Sequence, residues 1–128
     1  MGAADLARKK CKPCEGGVAP LNDSEAAMLL GQIKGWQLNG AVISKTYEFA
    51  NYYQTMAFVN AVAWLAHRED HHPDMNVGYN RCRVDYATHA IGGLSENDFI
   101  CAAKVDALFE LCHCVFNDLA GLSQSSMS

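Results

Sequence analysis

The chain has 128 residues, half of them hydrophobic and 19% charged, with a formal net charge of -4. That length suits one domain with a core of its own, and the composition is ordinary for a globular protein. The only basic cluster is Arg8, Lys9, Lys10 and Lys12, which argues against a nucleic-acid surface, because backbone binding needs clustered Lys and Arg.

The first residues, Met1-Gly2-Ala3-Ala4-Asp5, lack an apolar stretch behind a charged start, so no secretory leader is expected and the expected placement is cytoplasmic. Gly2 fits a myristoylation pattern only if Ser or Thr stands at position 6, and Leu6 stands there. No run of about 18 apolar residues is present, so no membrane-spanning helix is expected. Residues 1–20 read as an irregular segment, broken by Cys11, Pro13, Cys14, Gly16, Gly17 and Pro20. Six cysteines without an export signal read as thiols or metal ligands, with Cys82 and Cys101 packed as small hydrophobes.

Asn22, Asp23 or Ser24 caps a helix through about Ile33, with Ala26, Leu29, Leu30 and Ile33 on its apolar side. Gly35 ends it. Trp36-Gln37-Leu38 begins a strand, and Asn39-Gly40 is a two-residue hairpin signal, because both positions tolerate positive φ. Residues 42–49 form the return strand. Ile43, Tyr47 and Phe49 share one face, Ser44, Thr46 and Glu48 share the other, and Lys45 interrupts the apolar side.

Asn51 caps a long helix to about Asp70, with Met56, Val59, Val62, Ala63 and Ala66 at helical spacing. Pro73 helps to stop it. Two short strands follow near 76–80 and 82–88, and in the second Cys82, Val84 and Tyr86 alternate with Arg81, Arg83 and Asp85. Ser95 caps a final helix to about Val115, and the Ser-rich end reads as frayed.

The order α-β-β-α-β-β-α predicts an α+β two-layer sandwich, a four-stranded antiparallel sheet with helices on one face. The division expected is 1–20 as an irregular CxxC segment, 21–116 as the domain and 117–128 as a flexible tail. The open sheet edges suggest a homo-oligomer, dimer or tetramer.

The chemistry-rich stretch runs from His67 to Asp98: His67-Arg68-Glu69-Asp70-His71-His72-Pro73, then Tyr79, Thr88-His89 and Asp98. Three histidines at strand ends or in loops are free to line a cleft and to move protons near neutral pH. Plainer roles exist for each. His67 suits a helix C-terminus, His71-His72 a polar turn, and Asp98, three residues after Ser95, a capping box. Metal binding is the rival chemistry. His67 and His71 are spaced i, i+4, but a zincin needs Glu where Arg68 stands. Cys11-Lys12-Pro13-Cys14 has no second CxxC, only Cys112-His113-Cys114 within a helix, where the two sulfurs point apart. No metal is expected.

The spacing His67, three residues, His71-His72-Pro73, Tyr79, His89, Asp98 resembles the signature of the pterin-4a-carbinolamine dehydratases. So do Thr88-His89 and Gly93-Leu94-Ser95-Glu96-Asn97-Asp98. The resemblance covers roughly residues 21–110, including Gly35-Trp36, and the Cys-x-x-Cys-x-Gly-Gly start is similar to many bacterial members. It implies a lyase that removes water from 4a-hydroxytetrahydropterin to give quinonoid dihydropterin. Such an enzyme recycles the cofactor of aromatic amino-acid hydroxylases, typically phenylalanine hydroxylase, and needs no metal or organic cofactor itself. It also implies His71 and His89 as acid/base groups, His72 as a catalytic residue that holds or orients the pterin and shares in proton transfer, and Asp98 as the catalytic carboxylate that orients a histidine. Glu69, Asp70 and Thr88 are implied as further substrate-binding residues. Some relatives also act as partners of a homeodomain transcription factor and stabilise its dimerisation, so a non-enzymatic interaction module is the alternative, and the two roles need different surfaces.

Overall fold

The computed structural model describes residues 2–13 and 19–127, with side chains as far as residue 116. Four strands, β1 (Gln37–Asn39), β2 (Val42–Glu48), β3 (Asp74–Val77) and β4 (Arg81–Tyr86), form one sheet of order β1-β2-β4-β3, antiparallel throughout. The helices are α1 (Ala3–Arg8), α2 (Asp23–Leu30), α3 (Tyr52–Glu69) and α4 (Glu96–Met127).

The two-residue periodicity of β2 and β4 sorts the sheet into faces. Ile43, Tyr47, Cys82, Val84 and Tyr86 are buried in the core with Phe58 and Val62 of α3 and Phe99, Ile100, Ala102 and Val105 of α4. Burying each large apolar side chain contributes roughly 1.5–3 kcal/mol. The opposite face, with Ser44, Thr46, Glu48, Arg81, Arg83 and Asp85, stays polar. This is the expected α+β sandwich.

Several local expectations shift. Residues 3–8 are helical rather than irregular, because the breakers begin only at Cys11 and Leu6, 2% exposed, anchors the short helix in the core. Helix α2 is capped by Asn22, whose side chain accepts from Glu25 N while Glu25 reaches back to Asn22 N. It ends at Leu30, short of Ile33. The β1–β2 loop is Gly40-Ala41 rather than Asn39-Gly40, since Asn39 still pairs with Val42. Gly40 alone takes the positive φ, at 60°, as the first position of a type II′ turn requires.

The inward stripe of α3 is Thr55, Phe58, Val62, Leu65, Ala66 and Glu69, rotated from the predicted one; Ala63 is exposed and Met56 and Val59 are half-buried. The larger Phe58 and Leu65 take the core. Strand β3 begins immediately after Pro73 instead of at 76, because Gly78-Tyr79-Asn80 make the turn, with Gly78 N donating to Arg81 O at 2.8 Å. Strand β4 ends at Tyr86, and His89 opens a 3-10 turn, His89–Ile91, rather than closing a strand. The last helix does not stop near Val115; its backbone continues to Met127, through most of the segment expected to be a flexible tail.

Candidate active site

Three elements converge at one end of the sandwich. Helix α3 ends on Asp70 in the left-handed conformation, φ 52°, a state that Asp tolerates better than most residues. His71 N then donates back to Ala66 O at 3.1 Å and Asp70 N to His67 O, the paired bonds of a Schellman ending. That turn fixes where His71 leaves the helix. Thr88 and Gly93 form an isolated antiparallel bridge that closes the loop carrying His89. Gly93 is required there: a Cβ on it would stand 2.7 Å from Pro20 Cβ. The loop delivers Ser95 to the start of α4, where Asp98 stands one turn in.

Asp98 is fully buried and its two oxygens take different partners. Oδ2 accepts from Ser95 N at 3.0 Å and from the Thr88 hydroxyl at 2.7 Å, and the Thr88 and Ser95 hydroxyls lie 2.7 Å apart. Oδ1 lies 2.7 Å from His71 Nε2. The capping role and the histidine role therefore coexist on one carboxylate. With Asp98 Oδ1 as the acceptor, Nε2 is the donor, and Nδ1 is the ring nitrogen that the carboxylate leaves unused. The His71 ring stacks on buried Tyr86, with centroids 5.7 Å apart and planes 6° apart. Burial raises the Tyr86 phenol far above its ordinary range, so it stays a neutral wall.

His71 lines a cleft of about 370 Å³ with Asp70, His72, Thr88, His89, Lys12 and Asn97, a volume within the range of small-ligand sites. Its side chain is 12% exposed, whereas His72 and His89 are open to solvent. The three histidines singled out in the sequence thus share one cavity, with Asp70 and Thr88 beside them. Glu69 is elsewhere. It is buried and its Oε1 accepts from Cys11 N at 3.0 Å. His67 borders an adjoining hollow with His71, His72, Pro73 and Met75. Tyr79 is two-thirds exposed on the β3–β4 turn, and its carbonyl accepts from the Thr55 hydroxyl.

Sequence reasoning read Ser95 as a helix cap and Tyr86 as a strand residue without joining Tyr86 to His71, and it missed the N-terminal wall. Lys12 N donates to Asn97 Oδ1 at 3.0 Å and Asn97 Nδ2 to Lys12 O, which sets residues 11–13 against the start of α4. Asn97 beside Asp98 in a helix first turn was the only local hint. Cys14 of the CxxC pattern lies outside the described residues. Among the described residues no group of three or more His, Cys, Asp or Glu side chains is placed to hold a metal ion, and no helix is long and apolar enough to cross a membrane.

A histidine held by a buried carboxylate shares an open cleft with two more histidines on an α+β sandwich. Residues 19–108 match the model of the family described as pterin 4 alpha carbinolamine dehydratase, and the chain belongs to that family. A Nitrosomonas eutropha protein with the provisional name pterin-4-alpha-carbinolamine dehydratase is 73% identical over 105 residues, covering 81% of this chain and 93% of its own. A Nitrosospira multiformis protein of the same provisional name is 65% identical over 107 residues, covering 84% of this chain and 95% of its own. Among solved structures, a transcriptional coactivator/pterin dehydratase from Brucella melitensis superposes with a TM-score of 0.66 at 32% identity. That match covers 69% of this chain and 96% of the other.

Proposed function

We propose that this chain dehydrates 4a-hydroxytetrahydropterin to quinonoid dihydropterin, with His71 and His89 moving the protons. The observation that carries the reading is the 2.7 Å contact between His71 Nε2 and the buried Asp98, in a cleft shared with His72 and His89. The reaction breaks the C4a–O bond as the hydroxyl takes a proton and leaves as water. The N5–H proton is lost and a C4a=N5 double bond forms. Neutral His71, with Nε2 held by Asp98, offers Nδ1 as a base, and the carboxylate stabilises the imidazolium that results. His89, on the loop across the cleft, is the group assigned to the leaving hydroxyl. His72 and Asp70 supply polar contacts for the pterin ring, and Thr88 acts through Asp98 rather than on the substrate.

In this reading the product returns to a pterin-dependent aromatic amino-acid hydroxylase such as phenylalanine hydroxylase, in the cytoplasm. The edge strands β1 and β3 are the surfaces through which a homo-oligomer would form. A second reading, an interaction module, is favoured by the coactivator description of the Brucella protein. Stopped-flow dehydration of freshly generated 4a-hydroxytetrahydropterin tests the first reading. Acceleration by wild type, unchanged by chelator and lost in His71→Ala/His89→Ala, supports it. Absence of acceleration by folded wild-type protein overturns it and leaves the interaction module.

A further inference from the structure

Two sulfurs beside the cleft are in contact, although 90 positions separate them: Cys11 Sγ lies 3.3 Å from Cys101 Sγ. Cys101 is fully buried on α4, while Cys11 is half-buried on the N-terminal strap. That strap is tied on both sides of the sulfur. Lys9 Nζ pairs with Glu96 at 3.1 Å, Cys11 N donates to Glu69 Oε1, and Lys12 N donates to Asn97 Oδ1. The next two residues, Lys12 and Pro13, form one wall of the histidine cleft. A disulfide needs a sulfur separation of about 2.05 Å, so closure asks for a local movement of roughly 1.2 Å from a segment with no regular secondary structure of its own.

We propose that Cys11 and Cys101 are a redox pair that closes to a reversible disulfide and pins the wall of the cleft to α4. The oxidant class is a peroxide. The Cys11 thiolate attacks the O–O bond of hydrogen peroxide, giving a sulfenic acid and hydroxide. The Cys101 sulfur then attacks the sulfenic sulfur, the S–S bond forms, and the hydroxyl departs and takes up a proton as water. Overall two thiols and one peroxide become one disulfide and two waters, the sulfurs losing two electrons and the peroxide oxygens gaining them. Cys11 is the entry point because it alone of the pair reaches solvent. Its hydrogen-bonding contact, together with burial, pushes the Cys101 thiol up, which keeps Cys101 protonated until the sulfenic acid forms beside it. In a reducing compartment the pair rests as thiols, and its disulfide is a transient state.

The test treats full-length reduced protein with hydrogen peroxide, alkylates remaining thiols, and maps peptides by mass without reduction. The expected product joins the Cys11 peptide to the Cys101 peptide, two hydrogens lighter than the separate thiols, in wild type and in Cys14→Ser alike. Dithiothreitol reverses it, and Tm rises by several degrees in wild type but not in Cys11→Ser. A Cys11–Cys14 crosslink in wild type, or full alkylation of Cys101 on unfolding the peroxide-treated protein, overturns the proposal. The mass readout does not depend on the dehydratase activity.

Discussion

Helix α4 carries two carboxylates that the fold puts to different uses. Asp98 is fully buried and faces His71, Thr88 and Ser95 N. Asp106, two turns on, accepts from Trp36 Nε1 at 3.1 Å, Lys45 Nζ at 2.8 Å and Tyr47 Oη at 2.5 Å. Each has three donors, so counting hydrogen bonds does not separate them. Their partners do. Tyr47 stays neutral across the physiological range, since burial and then the neighbouring Asp106 raise its phenol far above the ordinary value. The Asp106 cluster therefore ties Trp36, just ahead of β1, and Lys45 and Tyr47 of β2 to α4, and none of its three donors is a histidine. Histidine is the partner whose charge changes near neutral pH, and only Asp98 has one, beside an open cleft. The lesson is that a well-bonded carboxylate reads as structural or functional from the titration range of what it holds.

Substitution breaks or sharpens that contrast. The largest effects belong to the cleft. His71→Ala, His89→Ala and Asp98→Asn are each expected to lower kcat/KM for 4a-hydroxytetrahydropterin by roughly 10²–10⁴-fold. His89→Ala, at an exposed site, should leave Tm within a few degrees of wild type. If Asp98→Asn keeps full activity, the carboxylate is only a helix cap. Asp106→Ala is expected to do the reverse, costing roughly 2 kcal/mol in urea unfolding by stranding the Trp36, Tyr47 and Lys45 donors. Its kcat/KM should stay within about threefold of wild type, as expected for a site without a role in proton transfer. A large catalytic loss in well-folded Asp106→Ala would erase the distinction between the two carboxylates.

Thr88→Val tests how much of Asp98's orientation comes from its second oxygen. Removing one of three donors should cost a few-fold in kcat/KM and about 1 kcal/mol of stability, both smaller than the losses above. The effect that is smallest at neutral pH lies on the core side of the sheet. Burial pushes the Cys82 thiol from 9.0 up to about 11. A raised folded value stabilises the protein below the unfolded value, and the contribution is lost as pH rises from about 9 through about 11. Unfolding free energy should therefore fall across that window, and fall less steeply in Cys82→Ala. Equal slopes in the two proteins would remove this thiol from the alkaline response.

The histidine–carboxylate cluster was legible because its residues sit in a short stretch with fixed spacing. His71-His72-Pro73 follows a helix end, and Asp98 follows Ser95 by the interval of a helix first turn. The alternation of Cys82, Val84 and Tyr86 marked the inner face of β4 as plainly, and Asn51 marked one helix start, while Asn22 was one of three caps the sequence offered for another. The bounds of β3 were less legible, because Val77 to Asn80 look equally good as strand or turn until Gly78 N finds Arg81 O. The face of α3 was misread for a related reason: residues at helical spacing form more than one stripe, and only the shape of the core chooses between them.

By itself the sequence determined the layer architecture and the histidine set, since periodicity and short-range spacing are properties of the local chain. The tertiary structure alone decided the rest. It turned Glu69 from the cleft toward the backbone of Cys11, and gave Lys45 its partner in Asp106 across 61 positions. It made residues 11–13 a wall of the site by pairing Lys12 with Asn97 across 85 positions, and set Cys11 against Cys101 across 90. Such contacts depend on how whole helices pack, and no local pattern encodes which of several buried polar groups will meet.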